Sequence, residues 1–261
     1  MQPLIDCDIL LYEVAYKCQQ KNEEGEIIPS SWEEVERKFD SAVQDICAEV
    51  YATEPPILYL TGKGNFRNDV ATIRPYKGNR KKEKPFHYKN IKAYAMAAYD
   101  YRLVEGLEAD DLMSIEQVSR LRQLDTCICS RDKDLLIVPG LHYSWEVRGQ
   151  PRFGPAPVSE LGELQLKKGG KKLFGTGLKL FYSQLLTGDK VDNIPGIRGY
   201  GPVKVFNLLN ECENVYELEE VVKGVYGEDG MDRMLEVGRL LWMTQKLDEV
   251  GKPVLWNFNN A

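Results

Sequence analysis

Eight carboxylates stand in tight groups along the chain: Asp6 in D-C-D, Glu108, Asp110 and Asp111 in E-A-D-D, Asp132 and Asp134 in D-K-D, Asp189 and Asp192 in G-D-K-V-D-N. Gathered in one crevice they would repel one another, raise one another's pKa and carry a heavy desolvation cost. Hard divalent cations are the natural compensation. An oxygen-only donor set without His or Cys points to Mg2+, with Mn2+ as a substitute. Two such ions can bracket a phosphodiester, one activating water and the other steadying the leaving oxygen. Glu108 and Asp111 share a face at i and i+3, in a first helical turn where the dipole favours negative charge. Each group alone has a plainer reading, since E-A-D-D opens many solvated helices and D-x-D is close to chance. The metal reading rests on the recurrence of the groups at inferred strand ends.

The net charge of -6 argues against an anionic partner only on average, because the charges are unevenly placed. Ten Lys or Arg lie between Lys63 and Lys92 against only Asp69 and Glu83, and Lys167, Lys168, Lys171, Lys172 and Lys179 lie in a stretch without acids. Both runs suit an anion. The most specific stretch is G-D-K-V-D-N-I-P-G-I-R-G-Y-G at 188–201. Gly196, Gly199 and Gly201 permit a tight turn between helices, and Pro202 suits the first helical position. Backbone N–H groups at that helix start can hold a phosphate without reading a base. The plain alternative is a helix connection. Lys190 and Lys204 flank the turn.

The elements that must position these groups follow from apolar periodicity. Leu4-Ile5 reads as a buried first strand ending at Asp6, followed by a helix over Ile9 to Cys18. Ser31-Trp32-Glu33-Glu34 is a capping box, and Trp32, Val35, Phe39, Val43, Ile46 and Val50 continue a helix to about Tyr51. Ile57 to Leu60 reads as the second strand, Tyr88 to Tyr99 as a helix, Arg102 to Val104 as a third strand and Thr126 to Cys129 as another. Glu108 to Arg122 reads as a helix with Leu112, Ile115, Val118 and Leu121 inward. Alternating strands and helices predict a parallel sheet whose ligand crevice lies outside the strands' carboxyl ends. Pro151 to Gly170 reads as a seam or mobile loop, and helices are expected at Leu178 to Thr187, Pro202 to Asn210, Val215 to Lys223 and Met231 to Leu247.

With 261 residues, 43% of them hydrophobic and 28% charged, the chain suits one large domain or two intimate ones and excludes a disordered polymer. Its 22 Gly and 13 Pro are far from a collagen-like content. No apolar run approaches the roughly 18 to 20 residues of a membrane helix, and the start lacks a basic leader, so a soluble protein is expected. Six cysteines without C-x-x-C, with only His87 and His142 beside them, argue against structural zinc and for reduced thiols.

The order of Asp6, K-G-N-F-R at 63–67, Y-K-G-N-R at 76–80, E-A-D-D, S-R-D-K-D and G-D-K-V-D-N-I-P-G resembles the flap endonuclease and 5′ to 3′ exonuclease family. That family includes the 5′ nuclease domain of bacterial DNA polymerase I and several bacteriophage enzymes. The resemblance covers residues 4–210. It implies an α/β fold with a Rossmann-like (PIN-type) parallel core over 1–170, a helical arch over 74–100, and a helical region over 171–261. In that last region a helix-turn-helix glycine turn at 188–210 would grip duplex DNA and hold K+. By motif, Asp6, Glu108, Asp110 and Asp111 would serve mainly a first Mg2+, and Asp132, Asp134, Asp189 and Asp192 mainly a second. Lys77 and Arg80 match the basic pair at the arch base, Arg67 would contact phosphate nearby, and Tyr76 would stack on a terminal base or simply pack. Lys63, Lys190, Lys204 and the three turn glycines complete the expected DNA contacts.

The implied activity is metal-dependent hydrolysis of DNA with a free 5′ end or flap, by a cytoplasmic monomer. Two departures from the family pattern stand out. Thr61 occupies the place of a customary Asp at the end of the second strand, with Asp8 as a conceivable replacement if the first strand runs that far. The segment between Arg80 and Glu108 is also short for an arch. The competing readings are a PIN-type ribonuclease and a non-catalytic DNA-binding relative.

Overall fold

The computed structural model describes residues 1–79, 83–147 and 149–258. In chain order the first elements are β1 (Gln2–Asp6), α1 (Cys7–Lys17), β2 (Gln19–Lys21), β3 (Ile27–Pro29), α2 (Trp32–Glu49), β4 (Ile57–Thr61), α3 (Arg67–Val70) and α4 (Tyr88–Ala98). They are followed by β5 (Tyr101–Val104), α5 (Ala109–Ser119), β6 (Thr126–Cys129), a 3-10 turn (Lys133–Ile137), β7 (Gly140–Ser144), β8 (Phe153–Val158), β9 (Leu164–Lys167) and β10 (Lys172–Gly175). The last are α6 (Gly177–Thr187), the short strands β11 (Gly188–Asp189) and β12 (Ile194–Pro195), α7 (Pro202–Leu209), α8 (Val215–Tyr226) and α9 (Met231–Leu241). The chain forms two compact units.

The first unit, Met1–Lys63, Lys81–Arg131 and Gly140–Pro157, is built on a six-stranded sheet of order β5-β4-β1-β6-β7-β8. Strands β5, β4, β1, β6 and β7 are parallel. Near-continuous apolar runs such as Ile57 to Leu60 mark strands covered on both faces, and those four residues are buried. The chain builds outward from β1 through β4 to β5, then returns beside β1 as β6, so the topological switch point lies between β1 and β6. Ser31 caps α2 by accepting from Glu34 N at 3.3 Å, and Val35, Phe39, Val43 and Ile46 bury its apolar stripe. Helix α4, inside the span expected as an arch, sets Tyr88, Ile91 and Ala95 into the same core.

Helix α5 turns a different face inward from the one its apolar residues suggest. Met113, Ser114 and Gln117 are buried, while Leu112, Ile115, Val118 and Leu121 are only half-buried. The cause is polar: Gln117 Oε1 accepts from Ile128 N at 3.2 Å, and its amide lies 3.3 Å from His142 Nε2. Bonds to the sheet thus make a polar residue the inward anchor. The hairpin of β2 and β3 was not foreseen.

The second unit, Gly64–Arg80, Asp132–Pro139 and Val158–Ala261, is mainly helical around Phe181, Tyr182, Leu185, Val205, Leu218, Val237 and Trp256, all buried. Helix α9 stops at Leu241, six residues before the expected end, because Trp242 turns extended (ψ 126). The expected loop over 151–170 instead holds β8 and β9, and β9 pairs antiparallel with β10. Lys-Gly composition marks only the tip of that hairpin. Among the described residues no helix is long and apolar enough to cross a membrane, and all six cysteines are unpaired thiols.

Candidate metal and nucleic-acid sites

In the first unit the acidic groups stand at the carboxyl ends of the parallel strands. Asp6 closes β1 and, at 2% exposure, is buried with both carboxylate oxygens engaged. One oxygen caps α1 by accepting from Ile9 N at 3.2 Å, and the other accepts from Ser130 Oγ at 2.6 Å. Ser130 directly follows β6, so this bond straddles the switch point.

Helix α5 begins with a reciprocal cap in which the Glu108 side chain accepts from the amide of Asp111, whose Oδ2 accepts from Glu108 N at 3.2 Å. Asp111 is fully buried, whereas Glu108 and Asp110 are half-buried. Thr61 ends β4, and its Oγ1 accepts from Ala109 N at 3.1 Å. Its own N–H donates to Asp8 Oδ2 at 2.8 Å. Burial pushes the Asp8 carboxyl above its ordinary range, while hydrogen bonds from the Thr61 hydroxyl and amide hold it back.

Asp8 therefore joins this group from the first turn of α1, not from an extended β1, because the strand ends where Asp6 caps the helix. Ser130 was not foreseen. A serine at a strand end carries no signal of its own, although its place just before Arg131-Asp132 does.

In the second unit Asp132 caps the 3-10 turn, its Oδ1 accepting from Asp134 N at 2.9 Å. Burial, then the neighbouring charge of Asp134, pushes its carboxyl up to about 6. Lys133 Nζ lies 2.7 Å from Asp134 Oδ1 and 2.6 Å from Asp189 Oδ2, so one ammonium serves two carboxylates. Burial raises Asp189, but Lys133 and the amides of Val191 and Asp192 outweigh it and hold the carboxyl below its ordinary value. The 3-10 turn packs on α6, whose Gln184 amide also donates to Asp134.

Strands β11 and β12 pair Asp189 with Ile194 and present the intervening loop. Asp192 in that loop accepts from Tyr76 OH at 3.0 Å and lies 3.9 Å from Lys77 Nζ. Lys77 N also donates to Asp192 O at 3.0 Å, and Asn193 Nδ2 donates to Pro75 O at 2.9 Å. The segments carrying Lys77 and the G-D-K-V-D-N motif are thus sewn together.

Two of the residues expected to contact DNA, Arg67 and Tyr76, are buried. Arg67, at 1% exposure, donates from Nε to Leu240 O at 3.0 Å and from Nη2 to Trp242 O at 2.7 Å, clasping the end of α9. Tyr76, at 8% exposure, lies in the unit's apolar core. Arg80 lies outside the described residues. Lys63, Lys190 and Lys204 are exposed, and Lys204 Nζ sits 3.6 Å from the centre of the Tyr200 ring.

The turn glycines differ in what they require. Gly196 passes so close to Thr187 O that a Cβ would stand 2.3 Å from it, and Gly199 has φ +86. Gly201 meets neither demand, and its vacant side opens onto the N-terminus of α7.

The donor chemistry fits a hard cation. Asp132 is pushed up by burial and by the charge of Asp134, and Lys133 shows a positive charge held by Asp134 and Asp189. Among the described residues no three carboxylate, His or Cys groups gather closely enough to hold a metal by themselves.

No family model matches the chain. DNA polymerase I of Bacillus caldotenax is 24% identical over 217 residues, 80% of this chain and 24% of that protein. DNA polymerase I of Rhizobium leguminosarum is 31% identical over 119 residues, 44% of this chain and 10% of that protein. The chain thus spans about a quarter or less of the length of the curated relatives it matches. The fold matches the T5 D15 protein co-crystallised with metal ions at a TM-score of 0.61 and 14% identity, over 92% of this chain and 88% of that one. It also matches the catalytic core of Rad2 in complex with DNA substrate at 0.51 and 16% identity, over 98% and 82%. These likenesses bear out the resemblance read from the motifs and the α/β architecture expected of it.

Proposed function

We propose that this chain is a structure-specific 5′ nuclease that hydrolyses DNA phosphodiesters with divalent metal ions. The observation that carries the reading is the placement of Asp6 at the carboxyl end of β1, bonded to Ser130 across the switch point where such sheets take ligands, with the Glu108–Asp111 pair at the start of the helix that follows β5. The fold is shared with the T5 D15 protein, and the sequence likeness is to DNA polymerases I. Asp6, Glu108, Asp110 and Asp111 would hold one Mg2+ or Mn2+, and Asp132, Asp134, Asp189 and Asp192 another. When bound, such ions supply a nucleophilic water at neutral pH and Lewis-acid stabilisation of phosphate charge.

The rest falls to the chain's own residues. Ser130 fixes the Asp6 carboxylate, the Glu108–Asp111 cap fixes the start of α5, and Lys133 neutralises Asp134 and Asp189 until a harder cation takes over. Lys77 is the cation for the reacting phosphate, with Arg80 as its partner by motif. Lys190, Lys204 and the open N-terminus of α7 bind duplex backbone, and K+ at the glycine turn belongs to the same reading.

The test is to incubate the protein with 5′-labelled single-stranded, duplex, nicked and flap DNA, and with matching RNA, in Mg2+, in Mn2+ and in EDTA. Metal-dependent products that favour a free 5′ end or flap are expected. Equal cleavage in excess EDTA overturns the metal mechanism, and cleavage confined to RNA gives the site to a ribonuclease.

A further inference from the structure

We propose that the lysine-tipped hairpin of β9 and β10 is a second grip on duplex DNA, binding backbone phosphates beside the glycine turn. The proposal rests on the nuclease reading and extends it to residues outside the motifs. The hairpin places Lys167 directly opposite Lys172, with Lys168 and Lys171 at the turn between them. Like charges facing each other across an antiparallel pair are destabilising. All four side chains are exposed, and among the described residues none forms an ion pair. In a chain of net charge -6, such a concentration of positive charge has no counterpart of its own and suits an external polyanion.

The hairpin is also seated. Leu164 is buried, Leu173 packs against the core of the second unit, and both strands pack against α7. At the tip, Gly170 (φ +83) comes so close to α7 that a Cβ there would stand 2.9 Å from Val203 Cγ2. Val203 is the second residue of α7, so the lysines lie next to the helix start that Gly199 and Gly201 leave open. Lys167 is braced over the Phe174 ring, with Nζ 3.9 Å from its centroid. Lys179 takes no part, because its Nζ donates to Asn210 O at the far end of α7. A basic point held beside a helix N-terminus binds phosphate without reading sequence, adding affinity and salt dependence but no base preference.

The experiment is fluorescence-anisotropy binding of a labelled blunt duplex in EDTA over a KCl series. It compares wild type, the quadruple variant K167A/K168A/K171A/K172A, the corresponding quadruple Arg variant, and K190A/K204A. The Ala variant should bind at least about tenfold more weakly at moderate salt, with a log–log salt slope shallower by about 0.9 for each lysine that touched a phosphate. The Arg variant should match wild type, and the loss should add to that of K190A/K204A. Circular dichroism confirms folding, and the facing pair alone, K167A/K172A, should give a smaller change in the same direction. An unchanged slope in the Ala variants, with K190A/K204A weakened, overturns the hairpin contact and leaves the nuclease reading standing. Failure of the wild type to bind any duplex overturns both.

Discussion

Thr61→Asp introduces the carboxylate that the family resemblance leads one to expect there, at a position where the structure has already committed the neighbours. The Thr61 hydroxyl lies between Ala109 N, which donates to it at 3.1 Å, and the Asp8 carboxylate, whose Oδ2 also accepts from Thr61 N at 2.8 Å. An aspartate still accepts from Ala109 but has no proton for Asp8. The lost bond to a charged group is worth about 1.5 to 3 kcal/mol. Two carboxylates about 4 Å apart repel by about 4 kcal/mol at an effective dielectric of 20. Burial already raises the Asp8 pKa, so Asp8 can take up a proton and relieve part of that repulsion. The metal-free variant should therefore lose about 4 kcal/mol of stability.

Mg2+ should repay the difference, because any ion that binds the folded state stabilises it in proportion to its affinity. The assay is urea unfolding in EDTA and across a Mg2+ series at fixed ionic strength, alongside the Mg2+ midpoint of single-turnover cleavage. Thr61→Asp should be less stable than wild type in EDTA, gain more from Mg2+, and cleave at a lower midpoint, whereas Asp8→Ala should raise the midpoint. Equal stability in EDTA would refute the Thr61–Asp8 bond. Lower stability with an unmoved midpoint would show that position 61 does not face the ion.

Asp132→Asn keeps a side-chain acceptor for the cap but removes a charge whose folded pKa, about 6, lies above its ordinary value. The folded state then binds more protons than the unfolded between about pH 4 and 6, so wild-type stability falls as pH rises through that window. In EDTA at pH 8 the variant should be the more stable by at most about 3 kcal/mol, an advantage that disappears below pH 4, as denaturation curves would show. Arg67→Ala should cost about 3 to 6 kcal/mol without any DNA present, and Lys should not rescue the fork that spans two carbonyls. A wild-type melting temperature would return Arg67 to a phosphate-binding role. Lys77→Ala should slow single-turnover cleavage by about 100- to 1,000-fold with little loss of affinity, by analogy with an oxyanion donor. A loss in affinity alone would make it an anchor.

The strands and the acidic clusters at their ends were legible because a strand buried on both faces is a short apolar run, and the chemistry begins where the run stops. Asp6 after Leu4-Ile5 and Ser130-Arg131-Asp132 after Cys127 to Cys129 both follow this rule. The inward face of α5 was hidden because hydrogen bonds to Ile128 and His142, not apolarity, turn Gln117 toward the sheet. Arg67 sits in a basic run and so resembles a surface cation, and only the carbonyls at the end of α9, distant in sequence, reveal its burial. Lys133 resembles a spacer in D-K-D until Asp189, distant in sequence, reaches its ammonium. Strand β9 was read as part of a loop over 151–170 because glycine and lysine dominate the hairpin's tip, while its strands carry the less conspicuous Leu164, Leu166, Leu173 and Phe174.

The most direct test of the account measures chemistry and binding on the same DNA. Single-turnover cleavage of a 5′-labelled flap in Mg2+ should fall by orders of magnitude in Asp111→Asn and in Asp132→Asn. Affinity for the flap in EDTA should hold or rise, because each change removes a negative charge that repels phosphate. Near-normal cleavage in both variants would contradict the claim that these carboxylates are the machinery of a 5′ nuclease.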